Sequence, residues 1–141
     1  MSRALLDATA LIAAADRDDA DHQRGLEILR GIDYGELPDG VITNEALLET
    51  LNFVEERKGH DRAVDLLDRF VQGAHFELQY NPKKNFGLGR SLFRGYPGLN
   101  FGDSMQTAFM ESENIEYIYS FDDDFDSIDG VTRLNSAVNP Y

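Results

Sequence analysis

Two hydrophobic periods alternate along this chain. Short apolar runs of the length and composition of strands fall at Arg3 to Leu6, Gly40 to Thr43, His75 to Tyr80, Tyr117 to Ser120 and Val131 to Leu134. Between them, apolar residues recur three and four apart, as on one face of a helix. The first helix is expected from Ala10 to Ala15. The second runs from about Asp19 to Arg30, with Leu26 and Leu29 on one stripe and Gly31 as its stop. A third, capped by Thr43 or Asn44, runs to about Lys58 before Gly59, with Leu47, Leu51 and Val54 as its core stripe. A fourth, about Asp61 to Gln72, carries Val64, Leu67 and Val71 at helical spacing. Residues 81–102 read as a helix followed by a Tyr96-Pro97-Gly98 turn, and a last helix spans about Asp103 to Glu113. Strands alternating with helices predict an α/β fold, a parallel sheet of four or five strands with helices on both faces. With 141 residues, no repeat and no low-complexity linker, the expectation is a single domain over 1–141. A chain of this length buries about two-thirds of its unfolded surface.

Composition narrows the class. Hydrophobic residues make up 42%, the content of a folded chain rather than a disordered one. The absence of cysteine excludes disulfides, thiolate zinc sites and a cysteine nucleophile. The only early apolar run, Ala10 to Ala15, is too short to span a bilayer and meets Asp16, Arg17, Asp18 and Asp19. The expectation is therefore a cytoplasmic protein without a membrane segment. Net charge is −13, from 26 acids and 13 bases. Only Lys58, Lys83 and Lys84 are lysine, and a surface so acidic and lysine-poor looks like that of a halophilic protein. At about 1 M salt charges reach only about 3 Å, so the net charge says little about ligands.

Candidate chemistry lies in the carboxylates, each with an ordinary explanation beside it. Asp7 ends the first strand, the place where open α/β sheets collect function, but it is equally a helix cap. Thr9 is an alternative cap that would leave Asp7 free. Glu49 projects away from the Leu47, Leu51, Val54 stripe, beside Phe53, and reads otherwise as a solvated glutamate. Asp103 opens a helix, and Asp103-Ser104-Met105-Gln106 fits a capping box. Asp122, Asp123, Asp124 and Asp126 form an acidic loop interrupted by Phe121 and Phe125. Together these place an acid at or just after strands one, two and four, plus one on the helix entering strand four. Carboxylates crowded at one sheet edge stay ionised only if cations hold them, and oxygen ligands suit Mg²⁺ or Mn²⁺.

Other motifs fail. Asp122-x-Asp124-x-Asp126 has Ser127 and Arg133 where a calcium loop needs Gly and Glu. Gly87-Leu88-Gly89 has Leu92 where a dinucleotide motif needs its third glycine. His22, His60 and His75 lack zinc-site spacing.

Four segments in order resemble the PIN-domain family, metal-dependent ribonucleases that include the VapC-type toxins. Leu5-Leu6-Asp7-Ala8-Thr9 is similar to the family's opening, and Asn44-Glu45-Ala46-Leu47-Leu48-Glu49 to the helix carrying its glutamate. Phe101-Gly102-Asp103-Ser104 matches the third motif. Tyr119-Ser120-Phe121-Asp122-Asp123-Asp124-Phe125 matches the fourth, with Ser120 where threonine is usual and Asp126 as a reserve acid. The resemblance implies a three-layer α/β/α PIN-like fold and phosphodiester hydrolysis assisted by Mg²⁺ or Mn²⁺. It implies Asp7, Asp103 and Asp122 as metal ligands and Glu49 as a ligand or water-orienting group. Thr9 and Ser120 would bond carboxylates or phosphate. An antitoxin partner and a homodimer are implied by the likeness alone.

RNA contact has its own signal. From Leu78 to Gly102 there is no acid, and Lys83, Lys84, Arg90 and Arg94 alternate with Tyr80, Phe86, Phe93, Tyr96 and Phe101. Bases with stacking aromatics suit single-stranded RNA; a buried helix or a dimer face explains the stretch equally well. The rival functions are a non-catalytic PIN-like interaction domain and a nuclease of DNA or structured nucleic acid.

Overall fold

In the computed structural model, which describes residues 2–141, the five apolar runs form one sheet. β1 (Arg3–Leu6) lies at its centre. β2 (Asp39–Thr43) and β3 (Phe76–Gln79) extend it on one side, β4 (Tyr117–Tyr119) and β5 (Thr132–Leu134) on the other. Every neighbouring pair is parallel, so the sheet is wholly parallel with five strands. Leu5 stands level with Val41 of β2 and Ile118 of β4.

Side chains alternate between the two faces of a strand. Ala4, Leu6, Ile42 and Tyr119 join a core with α1 (Ala8–Ala15), α2 (His22–Asp33) and α4 (His60–Gln72), through Leu11, Ile28, Leu29, Ile32 and Phe70. Leu5, Val41 and Ile118 meet Phe109 and Met110 of α6 (Phe101–Ser112), with Phe125 and Ile128 closing that side. α3 (Asn44–Lys58) contacts both α1 and α6, and α5 (Phe86–Gly95) packs outside α6. The arrangement is three layers, α/β/α. Among the described residues no helix is long and apolar enough to cross a membrane.

Several elements depart from the sequence expectation. α1 starts at Ala8, directly after Asp7, rather than at Ala10. α2 passes through Gly31 to Asp33; a Cβ at Gly31 would come within 2.7 Å of Leu37, so this glycine admits a close contact rather than ending the helix. The buried stripe of α3 is Ala46, Thr50 and Val54, with Leu47 and Leu51 only partly covered. In α4 the inward residues are Ala63, Leu66 and Phe70, whereas Val64 and Val71 face solvent. The two triplets in α4 have identical spacing offset by one residue, and the inward one places Phe70 edge-on against Phe76 of β3 at 5.3 Å. Residues 83–85 form a 3₁₀ turn before α5. That turn is anchored by buried Asn81, which donates to Glu45 Oε1 and to the Met105 carbonyl, both at 2.9 Å.

Candidate active site

Strand order reverses beside β1, between β2 on one flank and β4 on the other, which opens a crevice at the carboxyl ends of the strands. Asp7 leaves β1 at that point. Its backbone occupies the cap position of α1, but its side chain makes no capping bond. Thr43, not Asn44, caps α3, its Oγ1 accepting from the Ala46 N–H.

The Asp7 carboxylate is instead held by the site. It is 2% exposed. Thr9 Oγ1 and Ser120 Oγ each donate to Oδ2 at 2.7 Å, and Gln106 Nε2 donates to Oδ1 at 3.2 Å. The two hydroxyls in turn accept backbone N–H groups of the next loop, Phe121 N–H on Thr9 and Asp122 N–H on Ser120, both at 3.0 Å. Two relays thus tie the loop after β4 to the end of β1. Both hydroxyl protons are committed to a carboxylate, the first of the two partners the sequence left open.

Asp103 lies within the first turn of α6, not at its cap. α6 begins two residues earlier, and Asn100 is the cap, with its Oδ1 accepting from the Asp103 N–H at 2.8 Å. The capping box expected at Asp103 to Gln106 is therefore displaced, and Gln106 turns to Asp7. Asp103 is 6% exposed, and its carboxyl is pushed up to about 7. Burial is the main cause, followed by the charges of Asp7 and Asp122, with Glu49 last; the Asn100 contact opposes them. Glu49 stands at the open edge of the group. Its carboxyl is also raised, by lost hydration first and then by Asp7 and Asp122. Asp7 and Asp122 thus lie near enough to raise the carboxyls of both Asp103 and Glu49.

Asp122 Oδ1 caps the short 3₁₀ turn at Asp123–Ser127, accepting from the Asp124 N–H at 3.0 Å. Asp126 lies apart from the group. Arg133 grips both its oxygens at 2.9 Å, which lowers its pKa, and Arg133 Nη1 also donates to the Ser120 carbonyl at 3.3 Å. The reserve acid is thus a structural partner of the loop. Among the described residues, only Asp122, Asp123 and Asp124 bring three carboxylate oxygens within 4.8 Å of one another. Asp123 and Asp124 are exposed, whereas Asp7 and Asp103 at the rim are buried. The rim offers hard carboxylate oxygens with no basic side chain, among the described residues, bonded to Asp7, Glu49, Asp103 or Asp122, a donor set of the kind that suits a divalent cation such as magnesium.

Lys83, Lys84, Arg90 and Arg94 are all exposed. The Arg90 guanidinium lies 4.8 Å from the Phe86 ring centre. Phe86 and Phe93 each meet Phe101 edge-on, at 6.1 and 5.6 Å, and all three rings are solvent-facing. Phe101 opens the helix that carries Asp103. A cleft of about 610 Å³, lined by Leu92, Tyr96, Met110, Glu111 and Ile115 among others, opens near the amino ends of β4 and β5, remote from the rim.

Gln106 and Arg133 escaped the sequence reading. Arg133 is the only base after Arg94, within a strongly acidic segment, and that isolation was a signal. Gln106 had none, because it fitted the capping box.

Fold and rim define a parallel three-layer α/β domain with an acid cluster at its topological switch. The chain belongs to the PIN domain family, whose pattern matches residues 4–131. The fold is similar to that of VapC20 from Mycobacterium tuberculosis, a sarcin–ricin loop cleaving toxin, with a TM-score of 0.75 at 19% identity over 89% of this chain and 94% of that one. VapBC2 from Rickettsia felis, bound to a DNA fragment from its promoter, gives 0.70 at 16% identity over 95% and 98%. FitAcB from Neisseria gonorrhoeae gives 0.61 at 15% over 93% and 96%. No curated protein matches the chain significantly in sequence.

Proposed function

We propose that this protein is a metal-dependent endoribonuclease and the toxin of a toxin–antitoxin pair. The observation that carries this reading is buried Asp7, bonded to Gln106 one turn from buried Asp103 and to Ser120 two residues before Asp122, with Glu49 raised by both Asp7 and Asp122. Membership of the PIN family supports it.

Asp7, Asp103 and Asp122 would hold Mg²⁺ or Mn²⁺, with Glu49 as a further ligand or a water-orienting group. A bound cation lowers the pKa of its water and neutralises charge on the phosphate. The chain supplies the rest. Thr9, Ser120 and Gln106 fix the Asp7 carboxylate, and the relays through Phe121 and Asp122 fix the loop carrying Asp122. Lys83, Lys84, Arg90 and Arg94, with the three exposed rings, offer the phosphate and base contacts that single-stranded RNA uses. An antitoxin partner is supported by toxin–antitoxin complexes among the similar folds, such as the one from Klebsiella pneumoniae, at TM-score 0.66 and 18% identity. A homodimer and a cytoplasmic location are part of the same reading.

The test is cleavage of single-stranded RNA by the purified chain with Mn²⁺. Cleavage is expected, with EDTA and Asp7→Asn each abolishing it. Full activity in Asp7→Asn would refute the reading, and preferential cleavage of DNA would move it to another substrate.

A further inference from the structure

Gln106 stands one turn beyond Asp103 on α6 and is 2% exposed. Its Nε2 is the one side-chain donor on Asp7 Oδ1, because Thr9 and Ser120 both serve Oδ2. Its Oε1 is buried without a hydrogen-bond partner, the sole such side-chain atom among the described residues. Turning the amide over would set Oε1 against the Asp7 carboxylate, acceptor against acceptor, so the orientation follows from Asp7. A buried acceptor left unmade is destabilising, and a methionine of similar length would fill the space with no orphaned acceptor of its own. The amide is thus expensive as packing and useful only toward the cluster.

We propose that Gln106 is a positioning residue of the acidic site: its N–H sets the rotation of the Asp7 carboxylate. The effect on metal affinity rests on the nuclease reading; the effect on the Asp7 carboxylate does not.

The experiment compares the full-length wild type with Gln106→Met by calorimetric titration with Mn²⁺, thermal melting, and crystal structures without metal. The variant is expected to remain folded, to bind Mn²⁺ about tenfold more weakly, and to show the Asp7 carboxylate rotated. An unmoved carboxylate with unchanged Mn²⁺ affinity overturns the proposal. If Gln106→Met does not fold, Gln106→Asn withdraws both polar groups by one methylene and is expected to show the same losses. Should the wild type bind no Mn²⁺ at all, the nuclease reading fails, and the Asp7 rotation alone decides whether Gln106 positions that residue.

Discussion

At Asp103, stability and chemistry oppose each other. The carboxyl is pushed from its ordinary 3.8 up to about 7, by burial first and then by Asp7 and Asp122. Below about pH 4 the group is protonated folded or unfolded. Between there and about 7 the folded state holds the extra proton, so stability falls as pH rises, and above about 7 the whole penalty is felt. Asp103→Asn should therefore melt several degrees higher than wild type at pH 8, reflecting on the order of 1–3 kcal/mol after solvent screening. The advantage should fade toward pH 4; a pH-independent difference in melting temperature would contradict the assigned cause. Sequence alone placed Asp7 at the end of a strand but left its side chain between cap and site. The choice fell to Thr9, Ser120 and Gln106, of which only Thr9 is near it in the chain.

Among the elements, α5 and α6 do most to shape the site. A Cβ on Gly89 would lie 2.2 Å from the Met105 sulfur, so this glycine lets the two helices approach. Gly89→Ala is expected to cost about 1–3 kcal/mol through overpacking, and Met105→Ala should recover part of it; denaturant unfolding of both variants and their combination checks this. The glycine pair that failed as a nucleotide motif thus serves packing in its second member. The exposed side of α5 makes a separate prediction. Arg90→Glu with Arg94→Glu should weaken RNA binding at least tenfold at low salt, read by fluorescence anisotropy, with the melting temperature nearly unchanged since both residues are exposed. Unchanged binding would remove this face from the substrate path. The α4 stripe shows why helix faces were misread: 63, 66, 70 and 64, 67, 71 carry equally apolar residues, and only the position of the sheet selects one.

For the molecule as a whole, a net charge of −13 on 141 residues makes self-repulsion a general load on the folded state. Raising KCl from about 0.1 M to about 1 M shortens the screening length from about 10 Å to about 3 Å. The melting temperature should rise by several degrees, as the halophilic composition implies; a fall or no change by calorimetry would count against that reading. The acids nonetheless have an uneven distribution. The stretch from Leu78 to Gly102 has none, and its Asn100 caps the helix that carries Asp103.

The strand and helix alternation and the single parallel sheet were legible in the chain, because period and turn residues are local properties. Which face of α4 turns inward, that α6 starts at Asn100's cap, that Asp126 belongs to Arg133, and that Gln106 reaches Asp7 were decided only by tertiary structure. Each depends on a partner remote along the chain: Gln106 and Asp7 are 99 residues apart and 3.2 Å from each other. Local pattern carries no record of such distances; the sheet's register does.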